Sequence, residues 1–250
     1  MQDLAPNATA FLILFARIGA VLMLLPVFSE DAIPARIRLL MGLGMTAALW
    51  GILQDRLPRT ALADSALPGI LIAELLTGLA MGTIVRLLFF AMAMAGSLIS
   101  LQVGLSSALV VDASQGGQAP MLSKFVAVAA AVVCMGMGVH HLWLASIVHS
   151  YALFPVGGMP SAPDFARLAI ATVARSTALA ISLAAPLIVY NILFSVALGL
   201  SDRVAPAIQI FFIAQPLNIL LGLAVLATML GTMLTRFASA MADWLNSGWA

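Results

Sequence analysis

The chain has 250 residues, of which 63% are hydrophobic and 8% are charged, whereas soluble domains have roughly 45–50% apolar and about 25% charged residues. The formal net charge is +1, and Cys134 is the single cysteine. These values exclude an ordinary soluble domain, a disordered chain, a disulfide scaffold and nucleic-acid binding through a basic face. The mean hydropathy of +1.11 predicts that lipid, or equally apolar protein, surrounds most of the chain.

Seven apolar runs follow one another, and about 20 apolar residues in a helix span the hydrocarbon core of a membrane. The runs comprise residues 10–28, 39–53, 67–85, 87–111, 125–148, 168–200 and 204–235. Only Arg86 separates the third run from the fourth, so this pair forms either one long bent helix or a tight hairpin. The chain lacks the polar and apolar alternation of barrel strands. It is therefore predicted to be an all-α membrane protein of six to seven helical segments.

Proline and run length predict that these helices are bent. Pro26, Pro186, Pro206 and Pro216 lie within the runs, and a proline inside a helix removes one backbone hydrogen bond and clashes with the preceding turn. The last run, as a straight helix, would measure about 48 Å from the helical rise. That exceeds the thickness of the hydrocarbon core, which is ~30 Å. We expect bent helices that form hairpins and lie partly outside the lipid.

Charged residues within the runs are candidates for structural ion pairs. Arg17, Glu74, Arg86 and Arg175 interrupt apolar sequence, and Arg203 stands where the last two runs meet. A charge in the middle of a membrane costs about 2.5–3.5 kcal/mol on insertion scales, so it requires a partner or a function. Glu74 is expected to pair with Arg17 or Arg175 on another helix. The alternative is the binding site of a small carrier, although the chain lacks the internal repeat that carriers show.

Small residues allow helices to approach closely in apolar surroundings. Gly78 and Gly82 have the spacing of a GxxxG motif. This pair serves either self-association or ordinary packing between helices.

Enzymatic chemistry has little support in the sequence. The chain has no HExxH, CxxC or P-loop motif. Its histidines are His140, His141 and His149, and no cysteine or carboxylate lies near them in sequence to complete a metal site. A membrane serine hydrolase would need Ser106 beside His141 or His149, but no GxSxG motif accompanies this serine. We expect no catalytic residue, cofactor or metal.

The connector after the fourth run is the most informative polar segment. It includes Asp112, Gly116, Gly117 and Pro120. A polar loop with glycines cannot lie exposed in lipid, because its backbone groups would lack hydrogen-bond partners. It is therefore either a solvent loop or a loop buried in protein at a lumen.

Several motifs occur in order along nearly the whole chain. They are FARIG at 15–19 followed by Pro26, IPARIR at 33–38, the stretch 74–125, GVHHLW at 138–143 followed by Ser150, Tyr151 and FPVG at 154–157, and LGLSDRVAP at 198–206 followed by Phe211 and Pro216. The set resembles the FliR family of the bacterial flagellar export gate, which includes the equivalent proteins of virulence type III secretion systems. One departure is Ala113, where the family usually has proline after the aspartate.

The resemblance implies a non-enzymatic component of this export gate. In the family, a single copy assembles with FliP and FliQ subunits into a helical hetero-oligomer around a pore for unfolded polypeptides, and FlhB packs alongside. Residues 1–250 would form a single domain, in which about 1–160 resemble FliP and about 161–250 resemble FliQ. The implied location is the bacterial inner membrane at the flagellar basal body, in contact with lipid and without nucleic acid. The alternatives are the virulence equivalent and a small polytopic carrier.

The resemblance also implies that the loop of residues 106–121 plugs the closed pore. The implied plug residues are Ser106, Ser107, Asp112, Gln115, Gly116, Gly117, Pro120 and Met121. Met121 is expected to face the lumen, because methionine is flexible and polarisable and adapts to varied partners. The implied structural charges within the membrane are Arg17, Glu74, Arg86 and Arg203.

Overall fold

Helices form almost all of the structure, which is a computed structural model describing residues 4–28, 33–57, 67–105, 109–112, 117–159, 161–204 and 210–247. The helices in this part are α1 (Leu4–Leu24), α2 (Ala35–Leu53), α3 (Leu67–Val103), α4 (Met121–Gly136), α5 (Val139–Leu153), α6 (Ala162–Val204) and α7 (Ile210–Asn246), with a 3-10 turn at Gln54–Arg56. An antiparallel hairpin of β1 (Leu109–Asp112) and β2 (Gly117–Pro120) lies between α3 and α4. The predicted all-helical class is confirmed, and the hairpin is a local feature that the sequence did not predict.

The third and fourth apolar runs form one helix, α3. It continues through Arg86 without a break, because one arginine side chain leaves the backbone hydrogen bonds of a helix intact. The helix ends at Val103, before the end of the apolar run. Gly104 follows with a φ of +86°, the left-handed conformation that terminates helices.

The fifth run is a bent pair of helices. α4 and α5 meet at an angle of 75°. Gly138 lies at the break with a φ of +77°, and its N–H donates to the carbonyl of Met135 at 3.2 Å. The run bends because a residue in the left-handed conformation cannot continue an α-helix.

The last two runs form long helices. α6 has 43 residues and α7 has 37, which correspond to about 65 Å and 55 Å from the helical rise. Pro186 lies inside α6 and Pro216 inside α7, whereas Pro206 lies outside the described residues. By length and composition, five of the described helices could cross a membrane, or six if α4 and α5 form one bent span.

The described chain packs as two units, each with its own core. One comprises Met1–Leu88 and His140–Val173, and the other comprises Phe89–Val139 and Ala174–Ser247. The first core contains Ile13, Leu14, Ile18, Ile84, Leu88 and Trp143, and the second contains Met92, Ile99, Val126, Leu187, Phe237 and Met241. The units alternate along the sequence. The division near residue 160, which follows from resemblance to other subunits, stays a prediction.

Candidate functional site

A buried ion pair joins α1 to α3 in the first unit. The Arg17 guanidinium donates from Nε to Oε2 of Glu74 at 2.7 Å and from Nη2 to Oε1 at 2.9 Å. Both side chains are fully buried. Charge-assisted hydrogen bonds in this bidentate geometry are short and strong. Of the two arginines that the sequence offered to Glu74, the structure pairs it with Arg17.

The other polar partners come from α5 and from the connector to α6. Nη1 of Arg17 donates to Ser150 Oγ at 3.3 Å, and its guanidinium carbon lies 4.1 Å from the centre of the Tyr151 ring. The N–H of Gly157 donates to Oε1 of Glu74 at 2.9 Å. Gly157 has a φ of +81°, a conformation that a residue without Cβ adopts at no steric cost. Both charges are therefore paired and hydrogen-bonded, as burial in an apolar environment requires.

A second hydrogen bond holds the same connector against α3. Thr77, one turn after Glu74, donates from Oγ1 to the carbonyl of Gly158 at 3.2 Å. The cluster thus links α1, α3, α5 and the connector, although these segments are far apart in sequence. The charged atoms are buried and are paired with one another, so their role is structural. We call Arg17, Glu74, Ser150 and Gly157 the structural clamp.

The remaining predicted charges lie elsewhere. Arg86 is half-buried and lies about 18 Å beyond Glu74 along α3, from the helical rise. Arg175 and Arg203 are exposed on α6. Of these five predicted charges, the structure pairs Arg17 with Glu74.

Gly78 and Gly82 let α1 approach α3 beside the ion pair. A methyl group at Gly78 would lie 2.5 Å from the carbonyl oxygen of Arg17 and 2.8 Å from Cβ of Ala20. One at Gly82 would lie 2.7 Å from Cβ of Leu24. Of the two roles that the sequence left open for this pair, the structure shows packing between helices within the chain.

We predict that Gly78→Ala destabilises the protein by about 1–3 kcal/mol, the range for overpacking a tight contact, because α1 must shift and carry Arg17 with it. Gly44→Ala in α2 is the matched control, since a methyl group there meets nothing within 4 Å. The control should be neutral or slightly stabilising, because alanine favours helix over glycine. Thermal midpoints of the purified variants in detergent measure the difference. Equal midpoints would contradict the close contact.

The polar loop of residues 106–121 contains the β1–β2 hairpin. Its register places Leu109 opposite Pro120 and Asp112 opposite Gly117. Pro120 directly precedes α4, whose first residue, Met121, has a side chain that is 61% exposed. Among the predicted plug residues, those outside the described part are Ser106, Ser107, Gln115 and Gly116.

The C-terminal end of this loop, where α4 begins, is attached to α3. Oγ of Ser123 donates to the carbonyl of Ala93 at 2.6 Å. A methyl group at Gly96 would lie 2.6 Å from Cα of Ser123, so the backbones of α3 and α4 are in close contact there. The start of α4, and with it the end of the loop, has a defined position on α3.

Three amide side chains that belong to no recognised motif meet at the C-terminal end of α3, just before the loop. They are Gln102 of α3, Asn191 of α6 and Asn218 of α7. Their signal in the sequence is weak: each is a lone amide in an apolar run, where an unpartnered polar group is costly. That cost predicts partners for them but does not identify which residues those partners are.

The histidines provide no metal site in the part of the chain that is described, where no group of three His, Cys, Asp or Glu residues could hold a metal ion. The rings of His140 and His141 lie against each other, with centroids 4.0 Å apart. His141 and His149 are exposed. Ser106, the serine considered as a nucleophile, lies outside the described residues.

Fold and site together define a helical protein with several possible membrane spans, a buried clamp and a polar loop after its third helix. Residues 8–244 match the family described as bacterial export proteins, family 1. The flagellar biosynthetic protein FliR of Caulobacter vibrioides is 40% identical over 225 residues, covering 88% of this chain and 90% of that protein. The FliR proteins of Bacillus subtilis and Escherichia coli are 29% and 30% identical, over 87% and 86% of this chain and 83% and 81% of their own lengths.

The chain therefore belongs to this family of bacterial export proteins, and the resemblance to the FliR family is confirmed. The family consists of structural membrane proteins of an export apparatus, so the chain is not an enzyme. With its apolar helices, it is a multi-pass membrane protein. The serine hydrolase considered from the sequence is set aside.

Proposed function

We propose that this protein is a pore-forming structural subunit of the flagellar type III export gate in the bacterial inner membrane, at the flagellar basal body. The observation that carries the proposal is the family match over residues 8–244, supported by relatives called flagellar biosynthetic protein FliR. The gate passes unfolded flagellar proteins. The flagellar system is favoured over a virulence system because the curated relatives carry flagellar names.

The proposed partners are FliP-like, FliQ-like and FlhB-like subunits, arranged with this chain in a helical hetero-oligomer. The FliP-like part is about residues 1–160 and the FliQ-like part is about 161–250. The burial of the helices supports such neighbours. Only 22% of the apolar stretch of α6 and 28% of that of α7 is buried, compared with 56% for α3. Neighbouring helices or lipid must cover the rest, because exposed apolar area of this extent is unfavourable in water.

The loop of residues 106–121 is proposed to plug the closed pore. A conduit for unfolded chains must accept any sequence and still exclude ions. Backbone pairing in the β1–β2 hairpin leaves a short segment that fills a lumen without a hydrophobic core of its own. Such a two-stranded hairpin is only marginally stable by itself, so it yields without the unfolding of a domain.

We predict that the protein is stable only with its partners. Expressed alone, it should give low yield and polydisperse particles in detergent, because the outer faces of α6 and α7 lack their neighbours. Co-expression with FliP-like and FliQ-like subunits should give one monodisperse complex. The same gene should restore motility and flagellar protein secretion to cells that lack it. A stable monomer obtained alone, together with secretion that does not need the gene, would reject the proposal.

A further inference from the structure

A partly enclosed cleft of about 140 Å³ lies in the first unit, between the first half of α3 and the first turns of α6. Its apolar lining consists of Ala80, Met81, Ile84, Phe154, Phe165 and Leu168. In other proteins, an apolar cavity of similar size, about 150 Å³, stays dry and binds benzene. The cleft therefore has room for an apolar group of roughly six carbon atoms.

One edge of this cleft is charged. Asp164, in the first turn of α6, lines the cleft together with Ser161. The Ser161 hydroxyl donates to Oδ2 of Asp164, and the N–H of Asp164 donates to Ser161 Oγ at 3.3 Å, so the two residues hold each other at the start of the helix. Nη1 of Arg167 lies 3.7 Å from Oδ1 of Asp164. An acid and a base thus stand side by side at the rim of an apolar cleft.

Both charges can bind a ligand. The side chains of Arg167 and Asp164 are well exposed. A carboxylate has about four lone-pair sites and a guanidinium has five N–H donors, which is more than the contacts within the chain use. An exposed ion pair contributes little by itself, so a ligand that carries both charges can take its place.

We propose that this cleft binds one phosphatidylethanolamine molecule, with carbons of an acyl chain among the apolar side chains, the ammonium on Asp164 and the phosphate on Arg167. An apolar cleft with two opposite charges on its rim matches a lipid that has an apolar chain and a zwitterionic headgroup. The position fits as well. The two charges stand at the beginning of an apolar stretch, Ala162–Arg203, that is long enough to cross a membrane, and the ends of such helices lie at the level of the headgroups.

Other occupants match the site less well. An apolar side chain of a partner subunit would fill the cleft but leave both charges without a counterpart. Phosphatidylglycerol has a phosphate for Arg167 but no cation for Asp164. Phosphatidylcholine has both charges, but its quaternary ammonium has no N–H to donate, and charge-assisted hydrogen bonds are the strong ones. Ethanolamine is therefore the headgroup that satisfies both side chains.

A lipid in the cleft also packs beside the connector that takes part in the structural clamp. Thr77 lines the cleft and donates to the Gly158 carbonyl at 3.2 Å, and the neighbouring Gly157 donates to Glu74. Because a ligand that binds only the folded state stabilises it, the bound lipid should raise the thermal midpoint of the protein. The inference goes beyond the proposed export function, since it requires no pore.

The test measures lipid retention by the full-length protein, co-purified with its partner subunits and supplied with equal amounts of phosphatidylethanolamine, phosphatidylglycerol and phosphatidylcholine in detergent. Ala80→Phe fills the cleft with a ring. Ile170→Phe is the matched control, because it adds a ring to α6 at a residue that is 70% exposed and does not line the cleft. Asp164→Asn and Arg167→Gln each remove one charge from the rim.

We expect native mass spectrometry to show one more phosphatidylethanolamine per copy of this chain in the wild type and Ile170→Phe than in Ala80→Phe, whose affinity should fall roughly tenfold or more because the acyl carbons lose their burial. Asp164→Asn should lower the preference for phosphatidylethanolamine over phosphatidylcholine by up to about fivefold, the factor for one exposed charge pair. Arg167→Gln should weaken all three lipids alike, since each has a phosphate. Phosphatidylethanolamine should raise the thermal midpoint of the wild type and not that of Ala80→Phe.

Equal retention by the wild type and an assembled Ala80→Phe would overturn the proposal and leave an apolar side chain of a partner subunit as the occupant. If Ala80→Phe does not assemble, the charge variants decide, and wild-type selectivity and affinity in both would overturn it. Failure of the proposed function gives a different result. If the partner subunits do not co-purify, that function fails, and the same lipid series on this chain by itself, in mixed micelles, decides whether the cleft binds the lipid.

Discussion

Glu74→Ala is expected to lose about 3–5 kcal/mol of stability, the cost of breaking a buried ion pair by removing one partner, and to reduce the assembled complex to a small fraction of the wild-type amount. The variant leaves the fully buried Arg17 guanidinium without its two carboxylate contacts. It also removes the acceptor for the Gly157 N–H, so that, among the described residues of the connector between α5 and α6, only the bond from Thr77 to the Gly158 carbonyl still joins it to α3.

The substitutions around this pair separate charge from shape. Glu74→Gln keeps an acceptor for Gly157 but removes the charge, so its effect should be smaller than that of Glu74→Ala. The double variant Arg17→Met, Glu74→Leu should be less damaging than Glu74→Ala, because apolar replacement of both partners leaves no unpaired charge. A double-mutant cycle on thermal midpoints and complex yield gives the coupling between the two residues.

An exposed ion pair provides the control for this series. Arg167 and Asp164 lie 3.7 Å apart with side chains that are 83% and 74% exposed, and exposed pairs contribute about 0–1 kcal/mol. Arg167→Ala should therefore assemble normally. Normal assembly of both Glu74→Ala and Glu74→Gln would show that the clamp is dispensable.

Deletion of residues 113–118 is expected to make the inner membrane permeable to ions when the full complex is present. The deletion removes the segment between β1 and β2 together with the first two residues of β2, so the hairpin cannot form. If the loop plugs the pore, an open water path through an apolar assembly remains. Growth inhibition and ion leakage of cells measure the effect, and both should require the partner subunits.

A deletion of equal length in another connector tests whether the position matters. Residues 60–65, which precede α3 in the sequence, are a suitable choice, because connecting segments in general tolerate such changes. This control should assemble without leakage. An assembled 113–118 deletion that is as impermeable as the wild type would leave the loop as an ordinary solvent loop.

The sequence alone predicted the helical class, most of the apolar segments and the family. Composition is sufficient for the first two, because a run of about 20 apolar residues has few alternatives to a helix in lipid. The sequence also predicted that Glu74 needs a partner, because an isolated charge within an apolar, membrane-spanning run is costly. The motifs around residues 74–125 and 198–216 carried the resemblance that the family match confirms.

Only the tertiary structure decided which residues meet. In α2, α3 and α5 apolar residues are spread over all faces, so no stripe in the sequence distinguishes a face that packs on protein from one that faces lipid. The choice of Arg17 over Arg175 for Glu74, and of α1 as the neighbour of Gly78, depends on contacts between residues that are more than fifty positions apart in sequence. The contacts among the amide side chains have the same origin: Gln102, Asn191 and Asn218 are lone amides until the fold of the second unit brings three helices together, and only then does each have a hydrogen-bond partner.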